Sequence, residues 1–226
     1  EGLDIPAVMK IIEEAEEVYL DPVSVGGILD AAGIPRVREA VVSQETSLLD
    51  TAMGVGFPLA MKVVGPVHKS DVGGVALGIA NDQDLRSHFN RMMSLKDATG
   101  VLLQPMTEGI ELFVGAKYEA PFGHVILCGL GGILVEVLDD VASGLGPLTM
   151  KESFRMIDSL KGSRILDGIR GQEGINREAF AGILVRLSTI LDYTSEIVEM
   201  DLNPILGKGS ELVAVDARIR IEKTVL

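Results

Sequence analysis

The sequence predicts an α+β chain of two lobes, and three observations carry that prediction. Helical and strand-like stretches mix without strict βαβ alternation, hairpins recur, and a short apolar strand runs into Pro105-Met106 as a hinge. On this reading residues 22–104 form a first lobe and residues 105–226 a second. The N-terminal helical segment, 1–21, packs on the second.

The elements follow in order. Ala7 to Tyr19 is predicted helical because Val8, Ile11, Ile12, Ala15 and Val18 recur at helical spacing, with Glu13, Glu14, Glu16 and Glu17 as a solvated face. A second helix spans Val23 to Ala32 and stops at Gly33, after which Ile34-Pro35 starts an extended segment. Val37 to Val42 reads as a strand, and Ser43 as the cap of a helix reaching Met53. Asn81 and Asp84 open a helix that presents Leu85, Phe89 and Met92 on one face, and Val101 to Gln104 is the short strand entering the hinge. Ile110 to Lys117 and Val125 to Leu138 are strands joined at Pro121-Phe122-Gly123. Thr149 and Glu152 make a capping box for a helix to Leu160. Asn176 opens a helix whose Phe180, Ile183, Leu184, Leu187, Ile190 and Leu191 form a continuous core stripe. A hairpin closes the chain, Glu196 to Leu206 against Leu212 to Ile219, over Gly207-Lys208-Gly209-Ser210.

Two stretches carry polar groups that a fold alone does not ask for. In the strand Pro58 to Val64, Leu59, Met61 and Val63 share one face and Ala60, Lys62 and Val64 the other. A lysine amid apolar neighbours needs a counter-charge or a route to solvent, because burying an unpaired ammonium costs several kcal/mol. The strand breaks at Gly65-Pro66 into a loop with His68, Lys69, Ser70 and Asp71, closed by Gly73-Gly74 and followed by a strand from Val75 to Ala80. Free backbone N–H groups and lysines in such a loop suit phosphate, although an ordinary hairpin loop has the same outline. The Walker pattern GxxxxGK[ST] is absent.

The second stretch is the closing hairpin. Asp201 and Asn203 project to one face with Glu199, while Leu202 turns inward. A turn centred between Lys208 and Gly209 sets Asp201 opposite Asp216. Facing carboxylates repel, and a divalent cation removes the repulsion, so two carboxylates and an amide oxygen suit Mg²⁺ shared with phosphate oxygens. The alternative is an acidic hairpin open to water. Zinc spacing of Cys and His is absent. His88 and His124 read as surface or packing residues.

Composition excludes some functions. A net charge of −13 on 226 residues argues against nucleic acid as a partner, since phosphate backbones demand a basic surface. A lone cysteine, Cys128, excludes an internal disulfide and fits a reducing cytoplasm. The most apolar run, Val125 to Leu138, is interrupted by three glycines and Glu136, so no membrane span is expected. The chain opens at Glu1 on an acidic amphipathic segment, unlike a signal peptide, and without a methionine it reads as a piece of a longer polypeptide.

A strand lysine, a glycine loop, a hinge and a carboxylate–Asn hairpin, in that order, resemble an ATP-grasp domain. HKSDVGGV from His68, GLGGILVEVL from Gly129, and DLNPI with AVDARI near the end resemble more narrowly the β subunit of ADP-forming acyl-CoA (acetate–CoA) synthetases, relatives of the succinyl-CoA synthetase β subunit. The resemblance covers residues 21–220 and implies a nucleotide cleft between the two lobes. It also implies ATP or ADP as substrate and Mg²⁺ as cofactor. Lys62 and Lys69 then meet phosphate, with Gly73 and Gly74 closing the loop. Gln104, Pro105 and Met106 hold the adenine, and Glu111 lies near the ribose and phosphates. Gly129, Gly131 and Gly132 border the phosphates; Asn203 and Asp216 bind Mg²⁺ with Asp201 beside them; His68 relays a phosphoryl group. The implied partner is a CoA-binding α subunit or domain carrying its own phosphohistidine.

The resemblance leaves alternatives. A protein acetyltransferase can carry a degenerate domain of this type as a regulatory nucleotide or metabolite sensor, and carboxylate–amine ligases share the fold but not HKSDVGG. One departure favours the sensor: where the family pattern has an arginine after Asp140, this chain has Gly144.

Overall fold

The computed structural model describes residues 2–15, 18–65, 73–132, 140–168, 171 and 173–223. The chain divides into two compact units, one of Val37–Thr107 and a larger one of Glu1–Arg36 with Glu108–Leu226. The smaller unit therefore starts fifteen residues after position 22, because the second helix contributes Val25, Ile28 and Leu29 to the core of the larger unit.

Two helices open the larger unit. In α1 (Ile5–Glu14) the Asp4 carboxylate accepts the Ala7 N–H at 3.1 Å. Asp21 caps α2 (Pro22–Ala31) in the same way, accepting from Val23 at 2.8 Å and Ser24 at 3.2 Å. The first helix stops at Glu14, short of the Tyr19 that its periodicity suggests. Residues 18–20 are drawn into a sheet edge instead: Leu20 donates to the Ile219 carbonyl at 3.0 Å, and Ile221 to that of Val18 at 2.8 Å.

The smaller unit comprises β1 (Ala40–Val42), α3 (Glu45–Val55), β2 (Leu59–Val64), β3 (Val75–Ile79), α4 (Asp82–Met93) and β4 (Gly100–Pro105). Its strands form one antiparallel sheet in the order β1-β4-β2-β3. Leu59, Met61 and Val63 pack against Leu48 of α3 and Leu85 and Phe89 of α4. Asn81 caps α4, accepting the Asp84 N–H at 2.9 Å. Ser43 does not cap α3. The cap position falls on Gln44, which makes no side-chain capping bond.

The larger unit continues with β5 (Ile110–Glu119), β6 (Gly123–Leu130), β7 (Val141–Leu145), α5 (Met150–Ser159), α6 (Arg177–Tyr193), β8 (Ile197–Lys208), β9 (Glu211–Ala214) and β10 (Ala217–Ile221). Its antiparallel sheet runs β10-β8-β5-β6-β7, with β9 paired to β8. The capping box of Thr149 and Glu152 is formed, and the α6 stripe from Phe180 to Leu191 is buried. Each such side chain contributes about 1.5–3 kcal/mol over its exposed state, which is what holds the helices on one sheet face. The strand begun at Gly123 ends at Leu130, and residues 133–138 of its expected length lie outside the described residues. Strand β7 has no clear mark in the sequence, because its small residues, Ala142, Ser143 and Gly144, carry little strand signal. Among the described residues no helix is long and apolar enough to cross a membrane.

Candidate functional site

In the smaller unit, Lys62 sits mid-strand in β2 between Val75 of β3 and Leu102 of β4. It is 7% exposed. Its face is the one away from α3 and α4, shared with Ala60, whose partner on β4 is Gln104. Gln104 is buried as well, and its Nε2 donates to the Glu39 carboxylate at 2.8 Å. Pro105 ends β4, and the Met106 N–H donates to the Pro58 carbonyl at 3.2 Å, so the hinge stretch is tied to the start of the lysine strand. Lys62, Gln104, Pro105 and Met106 thus belong to one sheet and its end.

The glycine loop is described at its two ends. Gly65 has φ +118°, and a Cβ there would run into the Asp97 carbonyl and lie 3.3 Å from the Thr99 nitrogen, so only glycine fits. At the far end Gly73 has φ +68°, and the Gly74 carbonyl accepts the Val63 N–H at 2.7 Å. His68 and Lys69 lie outside the described residues.

In the larger unit, Leu112, Val114 and Ala116 of β5 face the helices, which puts Glu111, Phe113, Gly115 and Lys117 on the opposite face. Glu111, Gly131 and Gly132 come together there. The Gly131 N–H donates to the Glu111 carbonyl at 2.6 Å, and a Cβ at Gly132 would clash with the Glu111 carboxylate. Gly129 has no room for a side chain either, because Phe113 and the Asp140 carbonyl close over it. Small residues are required at this rim for the backbone to run close under Glu111.

The closing hairpin has a different register from the one expected. Lys208 pairs with Glu211, so the two-residue turn is Gly209-Ser210, with Gly209 at φ +57°. Gly207 plays no part in the turn; it makes room for Ile175. The shift moves Asp201 opposite Arg218 rather than Asp216. It also brings the Asn203 N–H to the Asp216 carbonyl at 3.0 Å, so Asn203 and Asp216 are the facing pair and Asp201 sits diagonally beside them.

Burial lifts the Asp201 carboxyl above the ordinary carboxylate range; Arg218 opposes the rise, while Asp216 and Glu199 add to it. A carboxylate so placed gains from a cation. Among the described residues no three His, Cys, Asp or Glu side chains converge into a complete metal site. A cation at this hairpin would take Asn203 as a ligand beside the carboxylates and complete its shell with water or phosphate oxygen. That hard-oxygen set fits Mg²⁺, which keeps few protein ligands.

Sequence reasoning missed Glu39 and Arg218. Nothing local marks Glu39 as the acceptor of Gln104, 65 positions away. Arg218 is read only from the correct register. His124 is a packing residue as expected: it is buried, its Nε2–H donates to the Ile197 carbonyl at 2.6 Å, and its ring meets Tyr118 edge-on at 5.3 Å. Gly144 pairs with Ile126 on the helix-covered face. A Cβ there would lie 2.7 Å from Met156 Sδ and 2.9 Å from Leu148 Cδ2. Gly144 therefore lies against α5, on the face away from Asn203 and Asp216.

Comparison with known proteins follows the same lines. The profile of the ATP-grasp domain matches residues 11–221. The acetate–CoA ligase [ADP-forming] I subunit β of Pyrococcus furiosus is 37% identical over 202 residues, covering 85% of this chain and 87% of the relative. Acetate–CoA ligase [ADP-forming] II of Archaeoglobus fulgidus is 40% identical over 195 residues, which are 85% of this chain but 29% of that longer protein. Among solved structures, dinucleotide-forming acetyl-coenzyme A synthetase 1 of Ca. Korarchaeum cryptofilum superposes with a TM-score of 0.81 at 30% identity. The match covers 97% of this chain and all of that one, which was solved with coenzyme A and Mg-AMPPCP and with its phosphohistidine segment pointing towards the nucleotide binding site.

Proposed function

The chain belongs to the family of ATP-grasp domains, and from that membership we propose that it is the nucleotide-binding part of an ADP-forming acyl-CoA synthetase. The overall reaction is acyl-CoA + ADP + phosphate ⇌ carboxylate + CoA + ATP, by way of an acyl phosphate and a phosphohistidine. This chain's share is phosphoryl transfer between ADP and the phosphohistidine of a CoA-binding partner subunit or domain. The observation that carries the reading is the facing pair Asn203 and Asp216, with Asp201 beside it, on the sheet face away from the helices.

The residues divide the work by their chemistry. Lys62, buried in a strand, supplies a fixed positive charge to the nucleotide phosphates. Gln104, Pro105 and Met106 receive the adenine. Glu111 meets the ribose side, and Gly131 and Gly132 border the phosphates. Asp201, Asn203 and Asp216 hold Mg²⁺, which when bound neutralises phosphate charge. Lys69 adds charge from the loop, and His68 is assigned to the phosphoryl relay. Catalysis is then mainly positioning and charge neutralisation for an in-line transfer. The named relatives are ligases, which favours the enzyme over a regulatory sensor.

The test is reconstitution. The chain alone should make no ATP from acetyl-CoA, ADP and phosphate, whereas adding its CoA-binding partner should restore synthesis. With the partner present, His68→Asn should abolish ATP formation while leaving Mg-ADP bound, since an amide nitrogen cannot carry the phosphoryl group. Turnover by the chain alone, or none with the partner, overturns the proposal.

A further inference from the structure

We propose that Arg91 of α4 is a positioning residue that fixes the point where the glycine loop rejoins the sheet beside Lys62. The role rests on the reading above, in which Lys62 and this loop meet nucleotide phosphate.

Helix α4 packs on the sheet through Leu85, Phe89 and Met92, which leaves Arg91 at the surface in the last turn. Its guanidinium is nonetheless committed across 18 residues of sequence. Nη1 donates to the Gly73 carbonyl at 2.5 Å, and Nη2 lies 3.5 Å from His88 Nδ1, one turn earlier on the helix. Gly73 is at φ +68°, and a Cβ on it would stand 3.3 Å from Nη1, so the glycine provides both the turn and the clearance for the arginine.

From Gly73 the connection to Lys62 is short and hydrogen-bonded. The next carbonyl, of Gly74, accepts the Val63 N–H at 2.7 Å, and the residue after that, Val75, pairs with Lys62 itself. The other end of the loop is set by Gly65 against the Asp97–Thr99 turn. Each end therefore has its own anchor. The one at Gly73 is a charge-assisted bond from a neighbouring helix, stronger than a neutral pair and directional. An arginine placed there only for the helix dipole would need no partner 18 residues away.

The test uses Arg91→Met, which keeps the length of the side chain without the donors, and Arg91→Lys, which keeps one. Affinities for Mg-ADP and for AMP are measured alongside the thermal midpoint. Losing one exposed charged bond is expected to weaken Mg-ADP about five- to tenfold in Arg91→Met. AMP, which lacks the β-phosphate, should change less than about twofold, and Arg91→Lys should recover most of the loss. Unchanged Mg-ADP affinity in Arg91→Met, or an equal loss for AMP and Mg-ADP together with a lowered midpoint, overturns the proposal. Hydrogen exchange on the ligand-free protein separates this from the nucleotide reading itself. The Val63 amide, bonded to Gly74, should exchange faster in Arg91→Met. If wild type binds no Mg-ADP, the nucleotide reading falls, while faster exchange still supports the anchor and unchanged exchange removes it.

Discussion

Replacing Gly65 by alanine should unfold the smaller unit well below its normal temperature, and the size of the effect can be worked from its surroundings. At φ +118° an L side chain is strained by about 1–3 kcal/mol. The new methyl would also fall on the Asp97 carbonyl, and backbone cannot step aside as a flexible side chain can. Moving the 97–99 turn away breaks the Thr99 N–H bond to the Val64 carbonyl, 2.9 Å, and the Thr99 hydroxyl bond to the same oxygen, 3.3 Å. Two such bonds are worth about 1 kcal/mol each. The total is about 3–5 kcal/mol, and for a unit of this size each kcal/mol shifts the midpoint by about 4–8 °C. A fall of at least about 12 °C is therefore expected in calorimetry of the ligand-free protein. Gly54→Ala is the matched control. It lies inside α3 with nothing within 4 Å of the added Cβ, so it should gain about 1 kcal/mol from helix propensity. A Gly65→Ala midpoint within about 3 °C of wild type would refute the reasoning, because it would mean that neither the φ nor the contact constrains this residue.

Other expectations follow from the larger unit. Asp216→Asn should leave the ligand-free fold intact and remove one of the charges that raise the Asp201 carboxyl. If it weakens Mg-ADP about 100-fold, a stabilisation of about 2.7 kcal/mol at 100 times the wild-type Kd shrinks to about 0.4 kcal/mol, which a thermal-shift titration reads directly. Asp140, 3% exposed, accepts the N–H groups of Lys161 at 2.7 Å and Gly162 at 2.6 Å, so Asp140→Asn strands a donor and should cost about 1–3 kcal/mol in denaturant unfolding. Burial, with Asp140 adding to it, pushes the Cys128 thiol up to about 12. Above pH 8.5 the unfolded thiol ionises while the folded one keeps its proton, so stability falls with rising pH. By pH 10 wild type should lose about 2 kcal/mol relative to Cys128→Ala, measured as the change in their stability difference from pH 7.

What the sequence disclosed was whatever is written in local chemistry. Asn81, Asn176 and Thr149 with Glu152 announce helix starts because a cap is a contact over three residues. Lys62 stands out because a cation interrupts an apolar strand. What escaped depends on contacts distant in sequence. The first helix gives up residues 18–20 because β10 offers them hydrogen bonds. The hairpin register differs by one position from the one the sequence suggests because GKGS contains two glycines, and only Ile175, packed where a Gly207 side chain would be, shows which one turns the chain. That Gly144 faces Met156 and Leu148 is likewise visible only in the fold. The site was legible as a set of residue types in order, whereas which carboxylate faces Asn203 required the fold.

The proposal that this chain binds a magnesium nucleotide, with Lys62 and the Asn203–Asp216 pair each required, is tested most directly by isothermal titration of ADP into the ligand-free protein with Mg²⁺ and with EDTA. The account predicts saturable binding of one Mg-ADP at micromolar to millimolar affinity. That affinity should fall about tenfold or more when Mg²⁺ is removed, and again in Lys62→Met with Mg²⁺ present. Equal affinity with and without Mg²⁺, or no loss in Lys62→Met, would contradict it.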